Sequence, residues 1–486
     1  MNDRHVASHY ADLPQQGAMG NGLSIADISA RIIDVPDETF KVHRSVYTDQ
    51  ALFELEIKHV WEATWIYIGH ESQIPKPNDY LTTVIGRQPV IISRGEDGQL
   101  RGFINACSHR GAMVARKDKG SAKRWVCPYH GWVYNNKGEL LDVKDEAAGG
   151  YPDDWQKTDH GLTPVPHVAS YHGFIFASLN ADVPDIKTHL AAAAPFLELF
   201  ANQSAEGLEV LRGHSVYTHR GNWKMQAENG VDGYHVDIVH ASYFRLARLR
   251  AEQAAAAAAA SQQAGKPSED KVKAIQINLA DLGNGNYDLG NGHVMIWIDI
   301  PNFRDRALGM HYDALEERVG PLQATWMAKR LRQVLIYPNF ILFDGISTQL
   351  RSWRPIATDQ TEVHAYCIAP KGESVAARER RVRQYEDFYG ASGIATPDDL
   401  TEFDACQNGY NAARSAPWQD FDRGMKRRVI GADALAKELG FEPQVSAPNV
   451  ADETLYHGEY REWLKLLAAG MQREANEKQA GEKNAD

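Results

Sequence analysis

Cysteine is scarce in this chain. Four residues, Cys107, Cys127, Cys367 and Cys406, stand among 486, too few for a disulfide framework. That usage fits a reducing, cytoplasmic setting, where cysteine more often binds metal or does chemistry. Long apolar runs are missing as well. None approaches the roughly 20 residues of a membrane-crossing helix, so no membrane association is expected. The start, MNDRHVASHY, is polar and lacks the apolar stretch of a secretory signal. There is no basic stripe. The net charge is −12 with the signs interspersed, which removes the electrostatic case for nucleic-acid binding. No strand-linked G-x-G-x-x-G fingerprint occurs. The glycine-rich GNGNYDLGNG at 283–292 reads as a loop with no helix behind it, and is rejected as a nucleotide site. No internal repeat is found.

What is present is an ordinary globular composition, 43% hydrophobic and 24% charged, in a chain long enough for two or three domains. Residues 1–45 read as an arm. The run ALFELEIKHVWEATW at 51–65 has helical spacing. Residues 80–94 are rich in β-branched residues, GEDG at 95–98 marks a turn, and LRGFINAC resumes as a strand. This all-β character continues to about residue 165. Beyond it, strands are expected at 210–217, 292–298, 333–342, 349–354 and 362–368. Helices are expected at 185–203, 223–240, 322–331, 375–390, 398–412 and 454–470. Segregated strands and helices argue for an α+β fold. Seven alanines at 254–260 predict an exposed helix inside an insertion spanning about 241–275, either a cover or a neutral surface feature. The tail from Gln472 to Asp486 is polar and expected to fray.

Two blocks carry chemistry. Cys107-Ser108-His109 is followed, 17 residues later, by Cys127-Pro128-Tyr129-His130. Two thiolates and two imidazoles suit zinc, or a [2Fe–2S] cluster with histidines on one iron. Zinc fingers pair like with like, as C-x2-4-C and H-x3-5-H. Here each loop carries one of each, which is the Rieske arrangement. Gly111 and Gly131 let backbone amides approach the sulfides, and Pro128 stiffens its loop.

The second block is NWKMQAENGVDGYHVDIVH at 222–240. Asp232 and His235 are three apart and share a helix face. His235 and His240 are five apart, about 140° around a regular helix. They meet one metal only if the helix ends or widens there. Two imidazoles and a carboxylate form the facial triad of non-heme iron(II) oxygenases. The carboxylate is sought in ATPDDLTEF at 395–403. Asp399 is preferred, with Asp398, Glu402 and Asp404 as alternatives. Acidic residues in a helix's first turn are favourable without any metal. Asn229, Met225, His293 and Trp297 are candidate pocket residues.

Over most of its length the chain resembles the large (α) subunit of the Rieske non-heme iron ring-hydroxylating oxygenases. The resemblance rests on CSHRG, CPYHGW, GNWKMQAENGVDGYHVDIVH, LIYPNFILFDGISTQLRSWRP and ATPDDLTEFDACQNGY. The last three blocks are most similar to the benzoate, toluate, anthranilate and 2-halobenzoate dioxygenase group. The sequence departs from that group after His240, at ASYF. The resemblance implies an all-β Rieske domain inserted near the N-terminus of a helix-grip catalytic domain with an antiparallel sheet and long helices. The corresponding divisions are 1–58, 59–165 and 166–486. It implies cluster ligands Cys107, His109, Cys127 and His130, and mononuclear iron ligands His235, His240 and Asp399. Asp232 would bridge His235 to His130 of a neighbouring subunit, and Asn229 would act beside it.

The implied activity is terminal oxygenation. O2 and electrons from an NADH-dependent flavin and iron–sulfur reductase, directly or through a ferredoxin, would dihydroxylate an aromatic ring to a cis-diol. The ring is expected to be an aromatic carboxylate such as benzoate, anthranilate or a halobenzoate. The expected assembly is α3, or α3β3 with a small β subunit. The alternatives are a Rieske monooxygenase, a hydroxylase or demethylase acting on a substrate such as salicylate, and a Rieske electron-transfer protein. The last needs nothing beyond the β unit.

Overall fold

The computed structural model describes residues 23–263 and 282–483. Parts of the expected arm (1–22), insertion (264–275) and tail (484–486) lie outside them; the rest of the tail, 472–483, is helical rather than frayed. The described part of the expected arm is not patternless: a helical turn (Ile25–Ser29) leads into a hairpin, Ile32–Val35 on Thr39–His43, which pairs with Trp418–Asp420 far along the chain. Then comes α1 (Gln50–Glu56), continued by a wider π turn at Ile57–Trp61, as the spacing at 51–65 predicts.

The β unit follows. Strand β1 (Ile66–His70) is followed by β2 (Asp79–Ile85), β3 (Gln88–Arg94), β4 (Leu100–Ile104) and β5 (Lys119–Ser121). The last four form one sheet in the order β4-β3-β2-β5. The run at 80–94 is therefore two strands. Gly86, at φ +59°, turns the chain between them. A second small sheet holds β6 (Arg124–Val126), β7 (Val133–Asn135) and β8 (Leu140–Asp142). The chain leaves through β9 (His167–Tyr171) and β10 (Phe174–Ser178), and β10 pairs back onto β1.

The second unit is built on a ten-stranded antiparallel sheet. Its strands are β11 (Leu208–Val210), β12 (Ser215–Arg220), β13 (Asn284–Gly290), β14 (His293–Asp299), β15 (Arg330–Ile336), β16 (Phe340–Asp344), β17 (Thr348–Ala357), β18 (Gln360–Pro370), β19 (Val429–Ile430) and β20 (Val445–Ala447). The order is β11-β18-β17-β16-β15-β14-β13-β20-β19, with β12 also on β18. The expected loop at 283–292 is β13 and its hairpin turn. Its residues 285–289 are all buried. Gly285 sits so close to the Ala447 carbonyl that a Cβ would come within 2.7 Å, so glycine there serves close packing rather than a loop. The expected strands at 210–217 and 333–342 each divide in two, and the helix at 185–203 divides into Ile186–Leu190 and Ala194–Ala201.

Alternation along the strands gives the sheet two cores. Ile341, Phe343, Trp353 and Val363 face one, and Phe340, Leu342, Leu350 and Ile368 the other. Against the first face lies α2 (Trp223–Asn229), followed along the chain by α3 (Val236–Val239) and α4 (Ala241–Gln263); α5 (Thr396–Tyr410) and α6 (Leu455–Lys483) lie against the same face. Helix α4 is the helix predicted by the alanine run. Together these elements make the α+β arrangement of an N-terminal β domain followed by a helix-backed sheet.

Helix α2 is anchored by buried polar groups. Glu56 accepts hydrogen bonds from Lys224 Nζ at 2.6 Å, Trp223 Nε1 at 2.9 Å and Trp463 Nε1 at 2.8 Å. Burial pulls the Lys224 pKa down, and the Glu56 charge opposes it. Removing one member of a buried pair costs about 3–5 kcal/mol, because the other charge is left unpaired. Lys224→Met keeps the side-chain length and is expected to lower the melting temperature by several degrees in calorimetry. An unchanged melting temperature would show that the two indoles suffice for Glu56.

Candidate metal centres

The first centre lies on two loops. One follows β4 and the other joins β6 to β7. Each closes the same way: Gly111 N–H donates to the Cys107 carbonyl at 2.8 Å, and Gly131 N–H to the Cys127 carbonyl at 2.9 Å. Both glycines sit at positive φ, +76° and +77°, where a side chain would be strained. The sequence pattern C-x-H-x-G and C-x2-H-G is thus a pair of matched turns. Cys107 and Cys127 are buried, whereas His109 is exposed and His130 partly so. Their rings lie 4.6 Å apart, and His109 stacks on Trp132. Thiols inward and imidazoles outward is the arrangement a two-iron cluster with its histidine iron at the surface requires.

Two residues of this centre escape motif reading. The Tyr134 hydroxyl lies 3.1 Å from Cys107 Sγ and 2.9 Å from Ser108 Oγ. Buried Asn105 pins the first loop, accepting from Val114 and Ala115 N–H and donating to the Ala115 carbonyl. Their one signal is a polar side chain within an otherwise buried strand end.

The second centre answers the five-residue spacing. Helix α2 ends at Asn229, and residues 230–235 are not helical. His235 immediately precedes α3, and His240 ends it at φ −96°, ψ 24°. Asp232 and His235 therefore meet across a turn and not on a helix face, with Asp232 Oδ2 3.1 Å from His235 Nδ1. The turn is wedged in place. A Cβ on Gly230 would strike Ile341 at 1.9 Å, and one on Gly233 the Val450 carbonyl at 2.6 Å.

Asp399 comes from α5. Along that helix Asp399, Phe403, Gln407 and Tyr410 are buried, one face at helical spacing. Gln407 locks α5 to α2, accepting the Asn222 N–H at 2.9 Å. The result is a small triangle. His235 Nε2 and His240 Nε2 are 3.3 Å apart, and Asp399 Oδ1 is 3.5 Å from the first and 3.3 Å from the second. Cis ligands at ~2.1 Å from one ion stand about 3 Å from each other. No other group of three such donors among the described residues converges within 4.8 Å. Burial raises the Asp399 pKa, but the two histidines outweigh it and hold the carboxyl well below its usual range. Burial likewise depresses His235, yet Asp232 and Asp399 push it up to about 9. A cluster that so favours positive charge suits a divalent cation, which would displace the imidazolium proton.

The remaining candidates fall outside the triangle. Asp398 Oδ2 lies 3.7 Å behind His240 Nδ1, Glu402 is exposed, and Asp404 pairs with Arg220 at 3.0 Å. Asn229 does join it, its Nδ2 donating to Asp399 Oδ1 at 3.2 Å. Met225 is core. His293 is structural: its Nδ1 accepts from Tyr337 N–H, and its Nε2 donates to the His189 carbonyl. Trp297 faces the other core, under Arg330 and beside Trp326.

Comparison with known proteins identifies two families along the chain. Residues 64–167 match the family described as the Rieske [2Fe-2S] domain, and residues 208–468 the ring hydroxylating alpha subunit (catalytic domain). The chain is 42% identical to the toluate 1,2-dioxygenase subunit alpha of Pseudomonas putida, over 91% of this chain and 94% of that one. It is 40% identical to the 2-halobenzoate 1,2-dioxygenase large subunit of Burkholderia cepacia, over 90% and 91%. A crystal structure of naphthalene 1,2-dioxygenase with indole bound in the active site superposes with a TM-score of 0.74, at 25% identity over 89% of this chain and 93% of that one. With two loops for a Rieske [2Fe–2S] cluster and a separate triangle for a mononuclear iron, the chain belongs to the ring-hydroxylating oxygenase alpha subunits.

Proposed function

We propose that this chain is the terminal oxygenase of a three-part system that converts an aromatic carboxylate to its cis-dihydrodiol. The balanced reaction takes the arene, O2, NADH and a proton to the diol and NAD+, with the electrons delivered by a separate flavin and iron–sulfur reductase. The observation that carries the reading is the His235–His240–Asp399 triangle, in a chain that also holds the Rieske loops. A Rieske electron-transfer protein has no use for the triangle.

In this reading Cys107, His109, Cys127 and His130 hold the cluster, and His235, His240 and Asp399 hold the iron. When bound, the cluster supplies single electrons and the iron a place to activate O2. The chain's own residues position that chemistry. Asn229 fixes the Asp399 carboxylate from the side. Asp232 orients His235 through Nδ1, the kind of outer contact that tunes a metal ligand.

Asp232 also points to the assembly. Its Oδ1 accepts the Tyr234 N–H at 2.6 Å while Oδ2 faces His235, and the group is partly exposed. Around it Tyr234 and Ile238 are exposed at 54% and 80%. At the Rieske tip Val126 and Tyr129 are exposed at 57% and 55%, beside His130. No hydrogen bond, ion pair or ring contact joins the two centres among the described residues. Two apolar-edged centres of this kind fit face to face between neighbouring copies, with Asp232 meeting His130 of the next subunit in an α3 core, with or without a β subunit. No described helix is long and apolar enough to cross a membrane, and a cytoplasmic site is proposed.

The test is turnover under labelled O2 with NADH and a benzoate-type reductase, on benzoate, 2-halobenzoates, anthranilate and salicylate. Two labelled atoms in one product are expected. One labelled atom would make the protein a monooxygenase, and NADH consumption with peroxide and no product would reject this substrate class.

A further inference from the structure

The ten-stranded sheet carries four arginines on β15 and β17, and three of them are neutralised. Arg332 pairs with Asp344 at 2.5 Å, Arg330 with Asp299 at 3.1 Å, and Arg354 with Glu362 at 2.7 Å. Arg351 is the exception. It is 4% exposed, yet no carboxylate reaches it among the described residues. Its Nε donates to Gln349 Oε1 at 2.9 Å and its guanidinium lies over the Phe343 ring at 4.7 Å. Neither contact supplies charge, and both Nη groups are left without a hydrogen-bond partner among the described residues. A cation so placed, with no carboxylate of its own, is open to an anionic partner.

The register shows which way it faces. Arg351 is the cross-strand partner of Ile341, and Ile341 is the side chain wedged against Gly230 in the metal turn. Arg351 therefore shares the sheet face that the metal turn covers. Between them runs an aromatic wall. His240 contacts Phe388 (ring centroids 5.9 Å), Phe388 contacts Tyr389 (4.9 Å), and Tyr389 contacts Phe343 (5.3 Å), on which Arg351 sits. Tyr217 lies on the same sheet face, since its cross-strand partner Val363 is in turn the partner of Trp353. Its buried hydroxyl has no hydrogen-bond partner among the described residues, and its pKa is raised most by burial, lowered by Arg351 and raised by Asp399. Tyr217 is thus within electrostatic reach of both the metal donors and the arginine.

We infer that Arg351 binds the carboxylate of the substrate, with the Tyr217 hydroxyl as a second donor, and so holds the aromatic ring between itself and His235, His240 and Asp399. A planar guanidinium takes a carboxylate through two parallel hydrogen bonds, and an aromatic wall accepts the ring behind it. The inference rests on the dioxygenase reading above and assigns its specificity to one side chain.

The experiment is anaerobic titration calorimetry on the iron-loaded protein. Benzoate and 2-chlorobenzoate are the charged probes, and toluene and chlorobenzene their neutral counterparts. Losing one partner of a desolvated charge pair costs a factor of order 100. Arg351→Met is expected to weaken the charged probes about 100-fold and to change the neutral ones less than about threefold. Arg351→Lys keeps the charge but not the fork, and should fall between. Retained Rieske absorbance and iron content certify the fold, and Arg351→Gln substitutes if the methionine variant does not accumulate. Charged probes binding Arg351→Met as tightly as wild type would overturn the inference. So would equal losses for charged and neutral probes, since that is structural damage. Wild type that binds benzoates through Arg351 but oxygenates none of them would overturn the dioxygenase reading alone.

Discussion

Asp232→Ala is expected to keep its iron and its cluster while losing more than about 100-fold in turnover. Removing an outer partner of a metal-bound histidine costs typically 10–100-fold. A larger loss requires a second role for the carboxylate, and its geometry offers one. Asp232 touches His235 Nδ1 at 3.1 Å while remaining partly exposed, so one side chain faces both His235 and the surface. The decisive measurement is reoxidation of the reduced cluster by O2 with substrate present. In Asp232→Ala the cluster should still accept electrons from the reductase and then discharge slowly. Mixed assemblies sharpen the test. Asp232→Ala chains combined with His130→Ala chains should regain activity, because some neighbouring pairs then hold an intact cluster opposite an intact Asp232. Turnover near wild type in Asp232→Ala would end the bridging proposal, and no recovery on mixing would confine it within one chain.

Asp399→Ala is expected to empty one centre and spare the other. Iron should fall from about three atoms per chain to about two, the pair of the cluster, with the Rieske absorbance unchanged. Product formation should drop by more than ~100-fold, beyond what loss of an outer contact causes. Three donors at 3.3–3.5 Å make the site, and two imidazoles alone do not complete it. Asp399→Asn controls for packing, since it keeps the bulk beside Asn229 and removes the charge. Full iron retention in both variants would move the third ligand elsewhere, and Asp398, 3.7 Å from His240 Nδ1, would be examined next.

Much of this was legible in the residues because metal chemistry is local in sequence. The Cys–His pairs each sit within one turn, and the H-x4-H spacing lets both histidines meet one metal only where the helix breaks. The sequence narrows the third donor to the acids after Pro397, with Asp399 preferred, and only the folded helix, which buries Asp399 with Phe403 and Gln407, separates it from Asp398. What stayed hidden depends on contacts between distant segments. Residues 283–292 look like a loop because glycine is common in turns, whereas here the glycine makes room for β20. His293 and Trp297 lie on an inward-reading strand, yet the sheet has two buried faces, and period-two alternation cannot say which one carries the chemistry. Arg351 is the sharpest case. It reads like Arg332 and Arg354, and only the folded sheet shows which of them lacks a carboxylate.

The wedge of Gly230 against Ile341 has a practical side. The donors sit on an irregular turn and on α5, while Arg351, Phe343 and Tyr217 belong to the regular strands β17, β16 and β12. Reactivity and choice of substrate thus occupy separable parts of the molecule. A library restricted to Arg351, Phe343 and Tyr217 could trade preference for acids against preference for neutral arenes and leave iron loading untouched. The same freedom is closed at Ile341, where a larger side chain would push on the turn and disturb the catalyst itself.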